Sequence, residues 1–390
     1  MNKNAFIVLT LLVLALGTAY TFKIQSENWT LKKELNLKKS SAKQSYSLLK
    51  ASDIIKGKFI EELSIYKSFQ YENLQIFILK SKTMLNHENF CCLKDALKAK
   101  KAIIRETSNV SKLSIDNLSN ETIYINSGEI VRGGKQDRTI QNDYIIGPGS
   151  FNNVIESYCV EKGRWQQRGD EKSEIFETSE NLLGSSELRT ANSVNNDQNE
   201  VWKSVTDIQN NMSNGLRYYT KTYHDINGSI ASSSLELSLN YGALKQVREK
   251  IRAELISKGL DFKGSNGIAV AINGEIVSID LYNNESLFLQ LSDKLLNAAI
   301  DESISKKNEV EYRTIEQIDI IHSIHAKTDN ENYKIVNPLT LVYSSKQKEL
   351  FVYSSIYNPQ QLWLHRTWTR ISENKTIKND ALMYRNIEVN

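Results

Sequence analysis

Two periodicities divide this chain. Apolar and polar residues alternate in its first half, and apolar residues recur every three to four positions in its second half. From Asn73, "NLQIFILKSK" is a short apolar run of strand type. "CCLKDALKAKKAIIRE" reads as a short helix with a strand-like end. "LSIDN" and "ETIYIN" alternate with period two, separated by turns at Ser119-Asn120 and Ser127-Gly128. "NDYIIGPGS" ends in a Gly-Pro-Gly turn and "NVIESYCVE" resumes a strand. Residues 177–198 are polar and aperiodic, so a long loop is expected there. Three amphipathic helices follow. Their apolar faces are Val201, Val205, Ile208 and Met212; then Leu244, Val247, Ile251 and Leu255, with Gly259 as a stop; then Phe288, Leu291, Leu295 and Ala299. Between the last two, "GIAVAINGEIVSIDLY" carries Asn273-Gly274 between apolar runs, a strong hairpin signal. A second hairpin is expected in "LTLVYSSKQKELFVYSS", turning near Lys346-Gln347, and "LWLHRTWTRIS" reads as a further strand.

The pattern predicts an α+β fold packed as one large domain, with mainly antiparallel strands in the first half and helices plus hairpins in the second. The expected organisation is a leader over 1–22, a helical or poorly ordered lead-in over 23–70, and an α+β domain over 71–390. Its last part, 307–390, reads as a β-rich extension.

Composition changes this picture at the N-terminus. Met1-Asn2-Lys3-Asn4 precedes the apolar run "AFIVLTLLVLALGTA", Ala5 to Ala19. A basic start and small residues near the end fit a cleaved secretory signal. Extended to Phe22, the run is also just long enough for a membrane anchor. Both readings place the body outside the cytoplasm, in the periplasm or the extracellular space, with membrane contact only through this segment. Cys91, Cys92 and Cys159 are an odd set: a Cys159 disulfide to one of the adjacent pair and three buried thiols are both open. With 40% hydrophobic and 24% charged residues the chain is globular, and a net charge of +3 is no footprint for nucleic acid.

The densest chemistry lies in "GEIVRGGKQDR", Gly128 to Arg138. A Walker loop requires Gly-Lys-Ser/Thr after Gly and four residues. Here Glu129 stands where the first glycine should be, and Gln136 follows Lys135 without a hydroxyl for magnesium. Two other readings remain: a Gly133-Gly134 backbone nest for an anion, helped by Arg132, Lys135 and Arg138, or a glycine turn joining two strands. "CVEKGRWQQR" repeats the flavour with Cys159, Glu161, Gly163, Arg164 and Trp165. These can build a site for a polar planar ligand, or a salt bridge under a tryptophan.

These two blocks, in order and spacing, resemble the ADP-ribosylglycohydrolase (ARG) and rhodanese-phosphatase-superfamily-associated protein domain family. The matching residues are Gly128-Glu129, Gly134-Lys135-Gln136 and Arg138, then Cys159-Val160-Glu161, Gly163, Arg164 and Trp165. The resemblance covers roughly 73–306, with a departure at Glu156-Ser157, where the family pattern has Pro-Val. It implies no established activity, and it points to a nucleotide- or ADP-ribose-like ligand by association alone.

Among the histidines, His322 and His325 fall in "IDIIHSIHAK", which reads as a strand and would point them to opposite faces. No metal site and no cofactor are expected. The first functional reading is an exported protein that binds an anionic or polar small molecule through Gly133, Gly134, Lys135, Gln136, Arg138, Arg164 and Trp165. A second is a hydrolase of a glycosidic or phosphoester bond, with Glu129 or Glu161 as acid/base. A third is a structural or interaction protein of the cell envelope. The sequence names no protein partner.

Overall fold

The computed structural model describes residues 62–371 except 196, 230–232 and 348, so the N-terminal apolar run and most of the lead-in lie outside the described residues. Among the described residues no helix is long and apolar enough to cross a membrane.

The fold is α+β, and nearly all its strand pairs are antiparallel. An eight-stranded sheet is assembled from both ends of the chain. Strands β1 (Ser64–Tyr71) and β2 (Leu74–Lys80) form one side. The first of these corrects the expected lead-in, which the sheet captures because β1 pairs along its length with β2. The second half of the chain supplies the rest: β12 (Gly267–Ile272), β13 (Glu275–Tyr282), β14 (Asp329–Asn337), β15 (Thr340–Gln347), β16 (Leu350–Tyr357) and β17 (Leu362–Arg370). Their order across the sheet is β1-β2-β12-β13-β17-β16-β15-β14. The β12–β13 turn is the expected one, with Asn273 at φ 55° and Gly274 at φ 71°. The β15–β16 turn falls between Gln347 and Leu350, slightly later than expected.

The strands between β2 and the helices build a closed barrel and a small sheet. The barrel contains β4 (Ala102–Glu106), β5 (Lys112–Asn117), β7 (Glu129–Gly133), β8 (Arg138–Ile140), β10 (Asn153–Cys159) and β11 (Ile175–Leu183), in the cyclic order β10-β5-β4-β11-β7-β8. The small sheet holds β3 (Phe90–Cys92), β6 (Thr122–Ile125) and β9 (Tyr144–Ile146), and its β3–β6 pair is parallel. Helix α1 (Leu93–Lys98) links β3 to β4. The expected loop over 177–198 is corrected: it holds most of β11, helix α2 (Ser186–Thr190) and a π-helical turn over Ala191–Asn195. Its polar residues hid the strand because β11 closes the barrel through backbone bonds to β4 and β7, and its register slips between Thr178 and Leu183.

The helical layer comprises α3 (Gln198–Thr220), α4 (Ile226–Ser229), α5 (Leu235–Leu239), α6 (Gly242–Ser257) and α7 (Glu285–Ser305). The apolar faces read from the sequence are buried in one core with Ile76, Ile78, Ile268 and Val270 of the large sheet. Helix α7 is buried on nearly every side. Helix α3 meets it at Gly215, where a Cβ would sit 1.7 Å from the Ile304 carbonyl oxygen, so only glycine permits this crossing. A second core fills the barrel with Ile104, Leu113, Ile115, Val131, Ile140 and Phe176. The segment "IDIIHSIHAK" is helix α8 (Gln317–His325), not a strand. Ile320 and Ile324, four apart, are its buried face, and a Glu316/Asp319 capping box fixes its start. His322 and His325 lie exposed on it.

Candidate functional site

The first block is β7, a tight loop and the start of β8. Gly133 (φ 112°) and Gly134 (φ 54°) let the chain turn back within four residues. A Cβ at Gly134 would lie 2.3 Å from the Phe176 ring and 2.7 Å from the Glu106 carboxylate. Four loop N–H groups find acceptors in the protein itself. Gly133 donates to Asp137 Oδ1 (3.1 Å) and Gly134 to the Lys172 carbonyl (3.1 Å). Lys135 donates to Glu106 Oε1 (2.9 Å) and Asp137 to Glu161 Oε2 (3.2 Å). The loop N–H groups diverge to three carboxylates and one carbonyl of the chain instead of converging on a single anion position.

The second block follows β10. Arg164 folds back onto the first block, and all its N–H groups bond to acceptors in the two blocks. Nε donates to Glu161 Oε2 (2.6 Å); Nη1 donates to the carbonyls of Gly134 (3.1 Å) and Gln166 (2.9 Å). Nη2 donates to the Gly133 carbonyl (3.3 Å) and to Asp137 Oδ1 (3.2 Å). Arg168 holds Asp137 through Nη1 (3.0 Å) and Nη2 (3.3 Å), and Glu171 through Nη2 (2.7 Å). Burial alone would depress the Arg168 guanidinium, but Asp137 and Glu171 outweigh it and hold its proton more tightly. Ser234, the N-cap of α5, donates to Asp137 Oδ2 (2.6 Å) and ties the helical layer to the loop. Glu236, in the first turn of α5, is buried; its Oε1 accepts from Asn240 Nδ2 (2.7 Å), and its contacts to Arg168 (3.8 Å) and Arg132 (3.9 Å) are long. Burial, and then the charge on Asp137, push its carboxyl above the usual range.

The expected residues therefore distribute as follows. Gly133, Gly134, Gln136, Glu161 and Arg164 come together; Gln136 Nε2 donates to the Glu161 carbonyl (3.0 Å). Arg138 is buried beside them, bonded to Gln136 and 3.6 Å from Glu106. The Lys135 side chain is exposed, and Trp165 is 56% exposed, so neither caps the cluster. Glu129 belongs elsewhere. It pairs with Lys294 of α7 at 2.7 Å, both side chains 1% exposed. It starts β7, and four strand residues, about 13 Å, separate it from Gly133.

A second charged network lies on the other side of Glu129. His365 of β17 bridges two aspartates, Nδ1 at 2.8 Å from Asp143 Oδ2 and Nε2 at 3.2 Å from Asp280 Oδ1. Arg189 of α2 donates to both Asp280 oxygens (2.7 and 3.3 Å). Tyr282 stacks on the imidazole at 4.4 Å. Burial alone would lower the imidazole, but the two carboxylates raise it to about 9, so it is a cation with both nitrogens used and no base. A Cβ at Gly128 would lie 2.5 Å from the Arg189 side chain, so the first glycine of the opening block seats this network.

Sequence reasoning missed Asp137, Arg168, Ser234 and Glu236, and the whole of the second network. Asp137 and Arg168 sat within or just beyond the quoted blocks. A serine before "LELSL" is an N-cap signal that would have brought Ser234 forward. Nothing local marks Asp143, Asp280 and His365 as neighbours.

All three cysteines are buried free thiols, and burial, with Glu129 beside it, pushes Cys92 up to about 12. Among the described residues no group of three or more His, Cys, Asp or Glu side chains is placed to hold a metal. A groove of about 470 Å³ opens elsewhere, between α8 and the β12–β13 and β15–β16 turns, and mixed charges from Arg313, Asp319, Glu349 and Arg370 line it.

Fold and site together define an α+β protein in which carboxylate–guanidinium pairs knit the two barrel blocks together, while the Ser234 hydroxyl on Asp137 and the Glu129–Lys294 pair tie the barrel to the helical layer. The chain belongs to the ARG and Rhodanese-Phosphatase-superfamily-associated Protein domain family, whose model matches residues 62–357. The match takes in both blocks and continues through β16, past the stretch on which the sequence resemblance rests. No curated protein and no solved structure matches it.

Proposed function

We propose that this protein is a non-catalytic binding or interaction protein, and that its two blocks are a structural clamp. The observation that carries this reading is Arg164: every N–H of its guanidinium is spent on protein acceptors. Neither it nor the loop N–H groups bonded to carboxylates offers a donor to a ligand without breaking a bond already made within the protein. Glu129 and Glu161 are fully buried and held in separate pairs, which supports a structural role for both rather than joint acid and base work. The N-terminal apolar run supports export or anchoring, and cell fractionation with N-terminal sequencing tests that part.

The clamp is tested by incubating the full chain with ADP-ribose and with nucleotides. No turnover is expected, and Glu161→Gln should lower the melting temperature. Turnover that disappears in Glu161→Gln while stability holds would overturn the reading. One observation favours the hydrolase alternative: Glu236, buried, held by Asn240 with its arginines at 3.8 and 3.9 Å, and raised in pKa, has the character of a general acid. In that case Glu236→Gln abolishes turnover and leaves binding intact.

A further inference from the structure

Among the described residues one buried cation has no counter-ion. Arg366 of β17 is 6% exposed, and the side-chain hydrogen bond it makes among those residues runs from Nε to Ser354 Oγ (2.9 Å). Its Nη2 has no partner, and among the described residues no carboxylate pairs with it. A guanidinium taken out of water without an acid is costly, and a fold that keeps one usually has a reason in another molecule.

The surroundings share the same chemistry. Strand β17 pairs Trp363 with Ile356, Arg366 with Ser354 and Trp368 with Val352, with an irregularity at Leu364. The extra residue resets the alternation, so Trp363, Arg366 and Trp368 share one face, opposite His365. The guanidinium carbon lies 5.7 Å from the centroid of the Trp363 ring and 6.0 Å from that of Trp368. Both indole N–H groups are buried donors without partners among the described residues. The nearby Tyr343 hydroxyl donates instead to Glu331 (3.3 Å) at the sheet edge. Donors in excess around a planar cation are the complement of an oxyanion, and the ring faces hold the guanidinium while limiting water.

We propose that Arg366, with Trp363 and Trp368, binds a compact oxyanion: inorganic phosphate, or the phosphate or carboxylate head of a larger molecule. The site is separate from the two blocks and does not depend on their role. The test is a titration of the full chain with sodium phosphate and with sodium acetate at constant ionic strength, followed by tryptophan emission and melting temperature. At least one anion should give a saturable emission change and raise the melting temperature by about 2 °C or more. A response to phosphate alone identifies a phosphate head, to acetate alone a carboxylate, and to both a general oxyanion site. Arg366→Met should remove the response while melting no lower than wild type without anion, because an unpaired buried charge has become an apolar chain. Arg366→Lys, which keeps the charge and loses the fork, should weaken binding at least about tenfold. No saturable response in wild type, or an unchanged one in Arg366→Met or Arg366→Lys, overturns the site.

Discussion

Arg164 and Arg366 are two buried arginines with opposite surroundings. Around Arg164, carboxylates and carbonyls take every N–H, and the chain is drawn into a tight loop by the bonds. Around Arg366 there is one serine hydroxyl, two tryptophans and no acid among the described residues. Both are largely withdrawn from water, Arg366 the more deeply; the accounting of partners differs. A dense motif of charged residues is thus no guide to where a ligand binds. Where every donor is matched inside the chain, the charges hold the fold. Where donors exceed acceptors, something outside the chain is called for.

The widest separation between the two regions should come from removing an acid. Asp137→Ala removes the carboxylate that both Arg164 and Arg168 bond, leaving Glu161 as their remaining shared acid, and should cost about 3–5 kcal/mol in urea unfolding. Arg366→Met should cost nothing by the same measurement. Equal losses would erase the distinction.

The His365 network lies between these extremes, a cation matched by two acids. Its imidazole is raised to about 9 from an unfolded value of 6.5. Its stabilising effect is therefore complete below about pH 6.5 and is lost as pH rises through about 9, on the order of 3 kcal/mol in all. Asp280 works in the other direction: Arg189 and His365 overcome its burial and hold its carboxyl below the usual range, so its contribution is present above about pH 4 and fades on acidification. Unfolding midpoints from pH 6 to 10 should fall in wild type, and the fall should flatten in His365→Gln. An unchanged slope in that variant would remove His365 from the network.

Smaller effects sharpen the picture of the loop. Gly134→Ala meets both a positive φ and Phe176, and should cost about 1–3 kcal/mol. Lys135→Ala removes only an exposed side chain, since its bond to Glu106 is made by the backbone, and should leave the melting temperature within error.

Much of this fold could be read before any coordinates. The faces Val201–Met212, Leu244–Leu255 and Phe288–Ala299 are buried as their spacing required, and Asn273-Gly274 turns the hairpin. Those features are local. What escaped depends on partners distant in sequence. The polar residues of β11 form a strand because β4 and β7 flank them. "IDIIHSIHAK" fits either period over so short a run, and the capping box, with burial of Ile320 and Ile324, decides for a helix. The same holds for the site. Gly133, Gly134, Gln136, Glu161 and Arg164 could be brought forward as a cluster from two dense blocks. That Glu129 would pair with Lys294, 165 positions away, could not. Nor could Arg366 in "LWLHRTWTR" be known to lack an acid among the described residues until the strands beside it were in place.

The clamp is tested most directly by a double-mutant cycle on Glu161 and Arg164, with unfolding free energies measured for Glu161→Gln, Arg164→Met and the pair. A clamp predicts that each single change is strongly destabilising and that the pair costs less than the sum, with a coupling of about 2 kcal/mol. Single changes that each leave stability within about 0.5 kcal/mol of wild type, and add without coupling, would contradict it.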